Sequence, residues 1–157
     1  MFRRALYFGA IFRLPKLYFV HWHATNSESD MSESLPILVV EDEEVLLCFL
    51  NTALERGGVK VVGASSGGEA LALLEHGEFA GIVSDLRMPG GVGGAEIYDW
   101  VRQNRPEMSA RFLFITGNVS DDYAVKVRER TGALFIEKPF RIALLIALIK
   151  EITTRNE

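Results

Sequence analysis

Four short stretches of the chain set polar, chemically capable residues directly behind apolar runs: "VVEDEE" brings Glu41 and Asp42, "IVSDLRMP" Asp85, "FITGN" Thr116 and "FIEKPF" Lys138. Three carboxylates held a few ångströms apart repel by about 4 kcal/mol per pair at 4 Å and an effective dielectric of 20. Such a cluster calls for a cation, and Mg²⁺ suits it, since that ion prefers oxygen, keeps several waters and uses one or two carboxylates plus a phosphate. A lysine and a hydroxyl opposite the metal complete a cradle for a phosphoryl group. A carboxylate can itself be the nucleophile that becomes an acyl phosphate. Asp85 holds the central place for that role. Each residue alone has a duller reading: Glu41 and Asp42 as the acidic start of a helix, Asp85 as a turn cap, Thr116 as a strand end and Lys138 as a solvated charge.

The elements that must position these groups are legible in the hydrophobic pattern. "ILVV" (37–40), "KVVGA" (60–64), "GIVSD" (81–85), "RFLFIT" (111–116) and "ALFIE" (133–137) read as strands, the first continuous enough to be buried on both faces. Between them run helical patterns. The first carries Val45, Leu46, Phe49, Leu50, Ala53 and Leu54 and stops at Gly57-Gly58. The second opens at Ser66 or Gly67 and closes at Gly77; the third covers 95–103 and ends before Pro106. The fourth covers 121–130 and stops at Gly132, and the last follows Pro139 with Ile142, Leu145, Ile146, Leu148 and Ile149.

Five βα units in series predict an α/β fold: a doubly wound five-stranded parallel sheet in the flavodoxin-like order 2-1-3-4-5, with helices on both faces in three layers. In that order strands one, three, four and five are neighbours. The four polar strand ends then converge on one cleft at the carboxyl edge, where such sheets bind ligands. The glycine-rich "GGVGG" (90–94) has neither dinucleotide spacing nor a terminal Lys-Ser/Thr, and reads as a loop leading into the third helix.

Composition narrows the remaining choices. A net charge of −4 argues against nucleic acid or an acidic membrane as the main partner. The single cysteine, Cys48, excludes an internal disulfide framework and suits the cytoplasm; its apolar helical setting predicts a buried structural residue. Residues 1–30 differ from the rest, with Arg3, Arg4, Arg13 and Lys16 against Glu28 and Asp30 and seven of the sixteen aromatics. The apolar run there is cut by Arg13, Pro15 and Lys16, too short and interrupted to span a bilayer. Residues 1–34 are therefore read as an N-terminal extension, with Met31 the favoured true start, 35–152 as the domain and 153–157 as a tail with no output module behind it. His21 and His23 lack a third ligand and read as ordinary histidines.

From about Leu35 to Ile152 the chain resembles the receiver domain of two-component response regulators. "VVEDEE", "SDLRMPG", "FITGN" and "EKPF" match that family's motifs in order and approximate spacing, in wording especially like receivers at the C-terminus of hybrid sensor kinases. The resemblance implies that Asp85 takes a phosphoryl group from a phosphohistidine on a sensor histidine kinase or histidine phosphotransfer protein. It implies Mg²⁺ held by Asp42 and Asp85, by Glu41 through water and by the backbone carbonyl of Arg87, with Thr116 and Lys138 on the phosphoryl oxygens. Phe135 falls at the family's aromatic switch position, against the plainer reading of a core Phe. The loop "PGGVGG" is one residue longer than the common form, so Gly94 rather than Gly93 aligns with the helix-leading glycine.

A phosphorylation-controlled switch follows, working as a relay or a protein-binding module rather than an enzyme. It has no direct nucleic-acid or membrane partner, and a downstream protein would bind the face of the fourth helix, fifth strand and last helix; a homodimer is compatible with this. The alternative from another class is a small Mg²⁺-dependent phosphatase-type hydrolase using Asp85 as nucleophile. It would need a second acid placed to protonate the leaving group and a substrate pocket, and the sequence has neither a D-x-D pair at the nucleophile nor a cap insertion.

Overall fold

The computed structural model describes residues 34–154. The expected extension, with His21 and His23, lies outside the described residues almost entirely, as do residues 155–157. Chain order is β1 (Ile37–Val40), α1 (Glu44–Arg56), β2 (Val61–Ala64), α2 (Gly67–His76), β3 (Gly81–Asp85), α3 (Gly94–Asn104), β4 (Phe112–Thr116), α4 (Asp122–Thr131), β5 (Leu134–Glu137) and α5 (Ile142–Thr154). A 3-10 turn, Pro106–Arg111, joins α3 to β4. It takes up Arg111, which the pattern had assigned to the strand.

The strands form one parallel sheet in the order β2-β1-β3-β4-β5, as expected. β1, β3 and β4 are buried along their whole length because helices cover both faces, which is why they read as unbroken apolar runs. Alternate residues serve two cores. Leu38, Val40, Ile82, Phe112 and Phe114 pack against α2, α3 and α4. Ile37, Val39, Val83, Leu113 and Ile115 pack with Leu50 and Leu54 of α1 and Leu145, Ile149 and Ile152 of α5. Fully burying one such leucine contributes about 1.5–3 kcal/mol.

Local chemistry sets the helix ends. Ser66 Oγ caps α2 by accepting from the Glu69 amide at 3.2 Å. Asp121 caps α4, accepting from the amides of Tyr123 (2.9 Å) and Ala124 (2.8 Å), and Gly132 ends that helix at φ 64°. Gly94, the first residue of α3, lies so close to β3 that a Cβ there would collide with the Asp85 carbonyl oxygen.

One expectation is overturned on α1. Cys48 is exposed, and Val45 and Phe49 are 78% and 56% exposed. The buried stripe of α1 is Leu50 and Leu54, with Leu46 and Leu47 partly covered. At 100° per residue, Cys48 is turned about 200° from both Leu46 and Leu50, toward solvent. The helix has more apolar residues than its packed face can cover.

Candidate functional site

The ladder places the site residues by extending one bond past each strand. Glu41 N donates to Ala64 O (3.1 Å), Leu86 N to Ile115 O (2.8 Å) and Lys138 N to Thr116 O (2.8 Å). These bonds fix Glu41, Asp85, Thr116 and Lys138 along one carboxyl edge, where β1 and β3 meet and the chain changes direction across the sheet.

Within this edge, Glu41, Asp42 and Asp85 present carboxylate oxygens that lie within 4.8 Å of one another. Lys138 reaches in from the end of β5: its Nζ donates to Asp85 Oδ2 at 2.6 Å and to Glu41 Oε2 at 2.9 Å. Glu41 is only 2% exposed and Asp85 8%. One ammonium thus bridges two of the three carboxylates, and the balance shows at Glu41 and Lys138. Burial, assisted by the Asp85 charge, pushes Glu41 above the ordinary carboxylate range, against the hydrogen bond from Lys138. Burial works to lower Lys138, but its hydrogen bonds to Asp85 and Glu41 prevail and raise it.

An all-oxygen donor set with surplus negative charge fits a hard divalent cation such as Mg²⁺. Among the described residues each Asp85 oxygen meets one protein donor, Oδ2 the lysine and Oδ1 the Arg87 amide at 2.9 Å. A carboxylate offers about four lone-pair positions, so capacity remains for an electrophile or a metal.

The remaining expected residues stand nearby in different ways. Thr116 is buried, and its hydroxyl exchanges 3.3 Å hydrogen bonds with the Asn118 backbone rather than reaching Asp85. Phe135 is half-buried, its ring 4.8 Å from that of Phe114 between centroids. Arg87 follows Asp85 in the loop, its amide tied to the acceptor carboxylate. Its side chain does something the sequence reading missed: Nη2 pairs with Asp121 Oδ1 at 2.8 Å, and the guanidinium lies 4.9 Å over the Tyr123 ring. Residues 87 and 121 belong to different βα units, and no local pattern links them.

Fold and site together define a class: a flavodoxin-like α/β domain with an acidic, lysine-bearing cleft at its switch point. The family model for the response regulator receiver domain matches residues 37–150, and the chain belongs to that family. It is 31% identical over 131 residues to the sensor kinase CckA of Brucella abortus, a match covering 82% of this chain and 14% of the kinase. To the transcriptional regulatory protein FixJ of Azorhizobium caulinodans it is 32% identical over 123 residues, covering 76% of this chain and 56% of that protein. The chain thus spans well under two thirds of either relative. Among solved structures, the CheY-like receiver domain protein of Methanospirillum hungatei matches with TM-score 0.68 at 30% identity, covering 76% of this chain and 94% of that one. Vibrio cholerae chemotaxis protein CheY4 matches with TM-score 0.67 at 25% identity, covering 76% and 98%. Receiver domains are signalling switches rather than ordinary enzymes; they partner with histidine kinases or phosphotransfer proteins and generally bind Mg²⁺ at an acidic pocket.

Proposed function

We propose that Asp85 accepts a phosphoryl group from a phosphohistidine on a histidine kinase or phosphotransfer protein, and that the acyl phosphate switches the domain's binding surface. The observation that carries this reading is the bridge from Lys138 Nζ to Asp85 Oδ2 and Glu41 Oε2 inside the acid cluster. A carboxylate oxygen of Asp85 attacks phosphorus; the O–P bond forms as the P–N bond breaks, and the imidazole nitrogen leaves with the electron pair and is protonated. Lys138 is already within hydrogen-bond distance of the acceptor and can follow the charge onto the phosphoryl oxygens. Thr116 supplies a hydroxyl once it turns from Asn118. Asp42 and Asp85 would hold Mg²⁺ directly, Glu41 through water, and Arg87 by its carbonyl. The ion supplies charge compensation for the phosphoryl oxygens when bound.

The partners can be placed with the same reasoning. The exposed Phe49 lines, with Leu46, Leu50, Lys138, Pro139 and Phe140, an apolar groove of about 270 Å³ that opens beside the site. That groove suits the phosphohistidine donor, which must bring its imidazole to Asp85. The response leaves by another face, α4-β5-α5, where Phe135 is half-buried and Leu144 is 50% exposed. The working domain is residues 35–152, acting in the cytoplasm beside its kinase.

A small acyl phosphate donor with Mg²⁺ should add one base-labile phosphoryl group, visible in the intact mass. EDTA or Asp85→Asn should abolish it. Normal labelling of the Asn variant would refute the assignment.

A further inference from the structure

Resting on the reading of Asp85 as acceptor, we propose that Arg87 is a latch on α4: its guanidinium holds the helix's first turn to the acceptor loop, and releases it to the phosphoryl group on Asp85, so that α4 pivots about its C-terminal end.

The latch has its fixed part and its movable part in one residue. The Arg87 amide is hydrogen-bonded to Asp85 Oδ1 at 2.9 Å, so its backbone is tied to the acceptor carboxylate. The side chain spans to α4, pairing with Asp121 and lying over Tyr123. A planar guanidinium can do both at once, which an ammonium cannot. Asp121 Oδ1 is already shared: the same oxygen accepts from Arg87 Nη2 and from the Tyr123 and Ala124 amides that begin α4. Whatever moves the guanidinium therefore acts on the N-cap of the helix.

The competition favours release. The Arg87 side chain is 59% exposed and that of Asp121 27%; an ion pair so open to solvent is easily exchanged. A phosphoryl group on Asp85 offers close to two negative charges and three acceptor oxygens, which the arginine fork matches better than one shared carboxylate oxygen. A cavity of about 330 Å³ lined by Arg87, Met88, Gly91, Glu96 and Tyr123 adjoins the latch and gives both side chains room to turn.

The other end of α4 is pinned to α3. Tyr98 Oη donates to Thr131 O at 3.0 Å, and Arg130 pairs with Asp99. Tyr98 is itself fixed in the ring stack with Phe112 (5.3 Å between centroids) and Phe114 (5.9 Å). Motion is thus directed to the first turn of α4.

The test uses the full chain, labelled with ¹⁵N, with and without acetyl phosphate and Mg²⁺, read by amide shifts and hydrogen exchange. In the wild type, phosphorylation should shift Tyr123 and Ala124 and leave Thr131 and Gly132 nearly still. Asp121→Asn retains a capping oxygen but loses the charge. It should accept one phosphoryl group by intact mass, yet show part of the α4 change before phosphorylation, with exchange at Ala124 faster by up to about fivefold, the factor an exposed pair can supply. Arg87→Gln should show the same early change and a blunted response. Before phosphorylation the double variant should show no larger α4 change than Arg87→Gln alone, because the Arg87–Asp121 pair is already lost there. Three results overturn the latch: an Arg87→Gln response equal to wild type, additive single variants, or equal displacement at Thr131 and Tyr123. These are distinguishable from failure of the acceptor reading, which would appear as no added phosphoryl mass in the wild type and would remove the latch with it.

Discussion

Lys138→Met keeps the aliphatic stem and removes the only ammonium hydrogen-bonded within the described acid cluster. At 2.6 Å and 2.9 Å its attractions to Asp85 and Glu41 are gross Coulomb gains of about 6 kcal/mol each at an effective dielectric of 20. Desolvation returns most of that, and removing one partner of a buried pair costs about 3–5 kcal/mol, largely from the charge left behind. The Lys138 side chain is 29% exposed, while that of Glu41 is only 2% exposed. The net loss should therefore be about 2–4 kcal/mol at neutral pH. Its pH dependence has a definite sign. Glu41 is already raised in the folded state by burial and by Asp85, and it rises further without the lysine. A group raised on folding contributes stability at low pH and loses it as pH rises through its folded value. The deficit relative to wild type should accordingly be smaller at mildly acidic pH, where the raised Glu41 takes up a proton, than at neutral pH. Mg²⁺ should also recover part of it by supplying the missing cation. Urea unfolding of both proteins at the two pH values, with Mg²⁺ or EDTA, measures all three effects. A deficit under about 0.5 kcal/mol, or one indifferent to both pH and Mg²⁺, would refute the charge balance described for the site.

Thr116→Ala should still accept the phosphoryl group but lose the phosphorylation-dependent amide shifts around Phe135 and α5, because no hydroxyl is left to turn inward; a full response across that face would reduce Thr116 to a strand-end residue. Asp42→Asn relieves repulsion among carboxylates within 4.8 Å of one another. In EDTA it should therefore match or exceed the wild type in stability, while losing the Mg²⁺-induced stabilisation, which for the wild type at tenfold excess over Kd is about 1.4 kcal/mol. An equal Mg²⁺ shift in both proteins would take Asp42 out of the metal site. Gly94→Ala must displace backbone at Asp85 and should cost about 1–3 kcal/mol in urea unfolding; the same change at solvent-facing Gly68, which has nothing within 4 Å, serves as the control.

Much of this was legible in the sequence because parallel strands buried on both faces advertise themselves. All five lie where the apolar runs put them, and the strand order brings Glu41, Asp42, Asp85 and Lys138 together at one edge. Gly94, which the resemblance aligned with a helix-leading glycine, opens α3, and its tight approach to Asp85 leaves no room for a side chain there. What failed did so for want of tertiary information. Periodicity says that α1 has an apolar face, not that the sheet and α5 cover only the Leu50–Leu54 stripe, so Cys48, Val45 and Phe49 went to the wrong side. The 3-10 turn Pro106–Arg111 has no hydrophobic period to reveal it. The Arg87–Asp121 pair joins side chains 34 positions apart, and either residue alone reads as a solvated charge. The direction of the Thr116 hydroxyl, toward Asn118, is a rotamer choice that no spacing encodes.

The central claim is that a phosphoryl group is carried on the side chain of residue 85. Borohydride reduces an aspartyl phosphate to homoserine, so the modified residue can be located directly by peptide sequencing of protein treated with acetyl phosphate and Mg²⁺. Homoserine at position 85 alone, absent when EDTA is present, is the result predicted here. Homoserine at Asp42 or elsewhere, or phosphate retained on a histidine or serine with Asp85 unmodified, would contradict it.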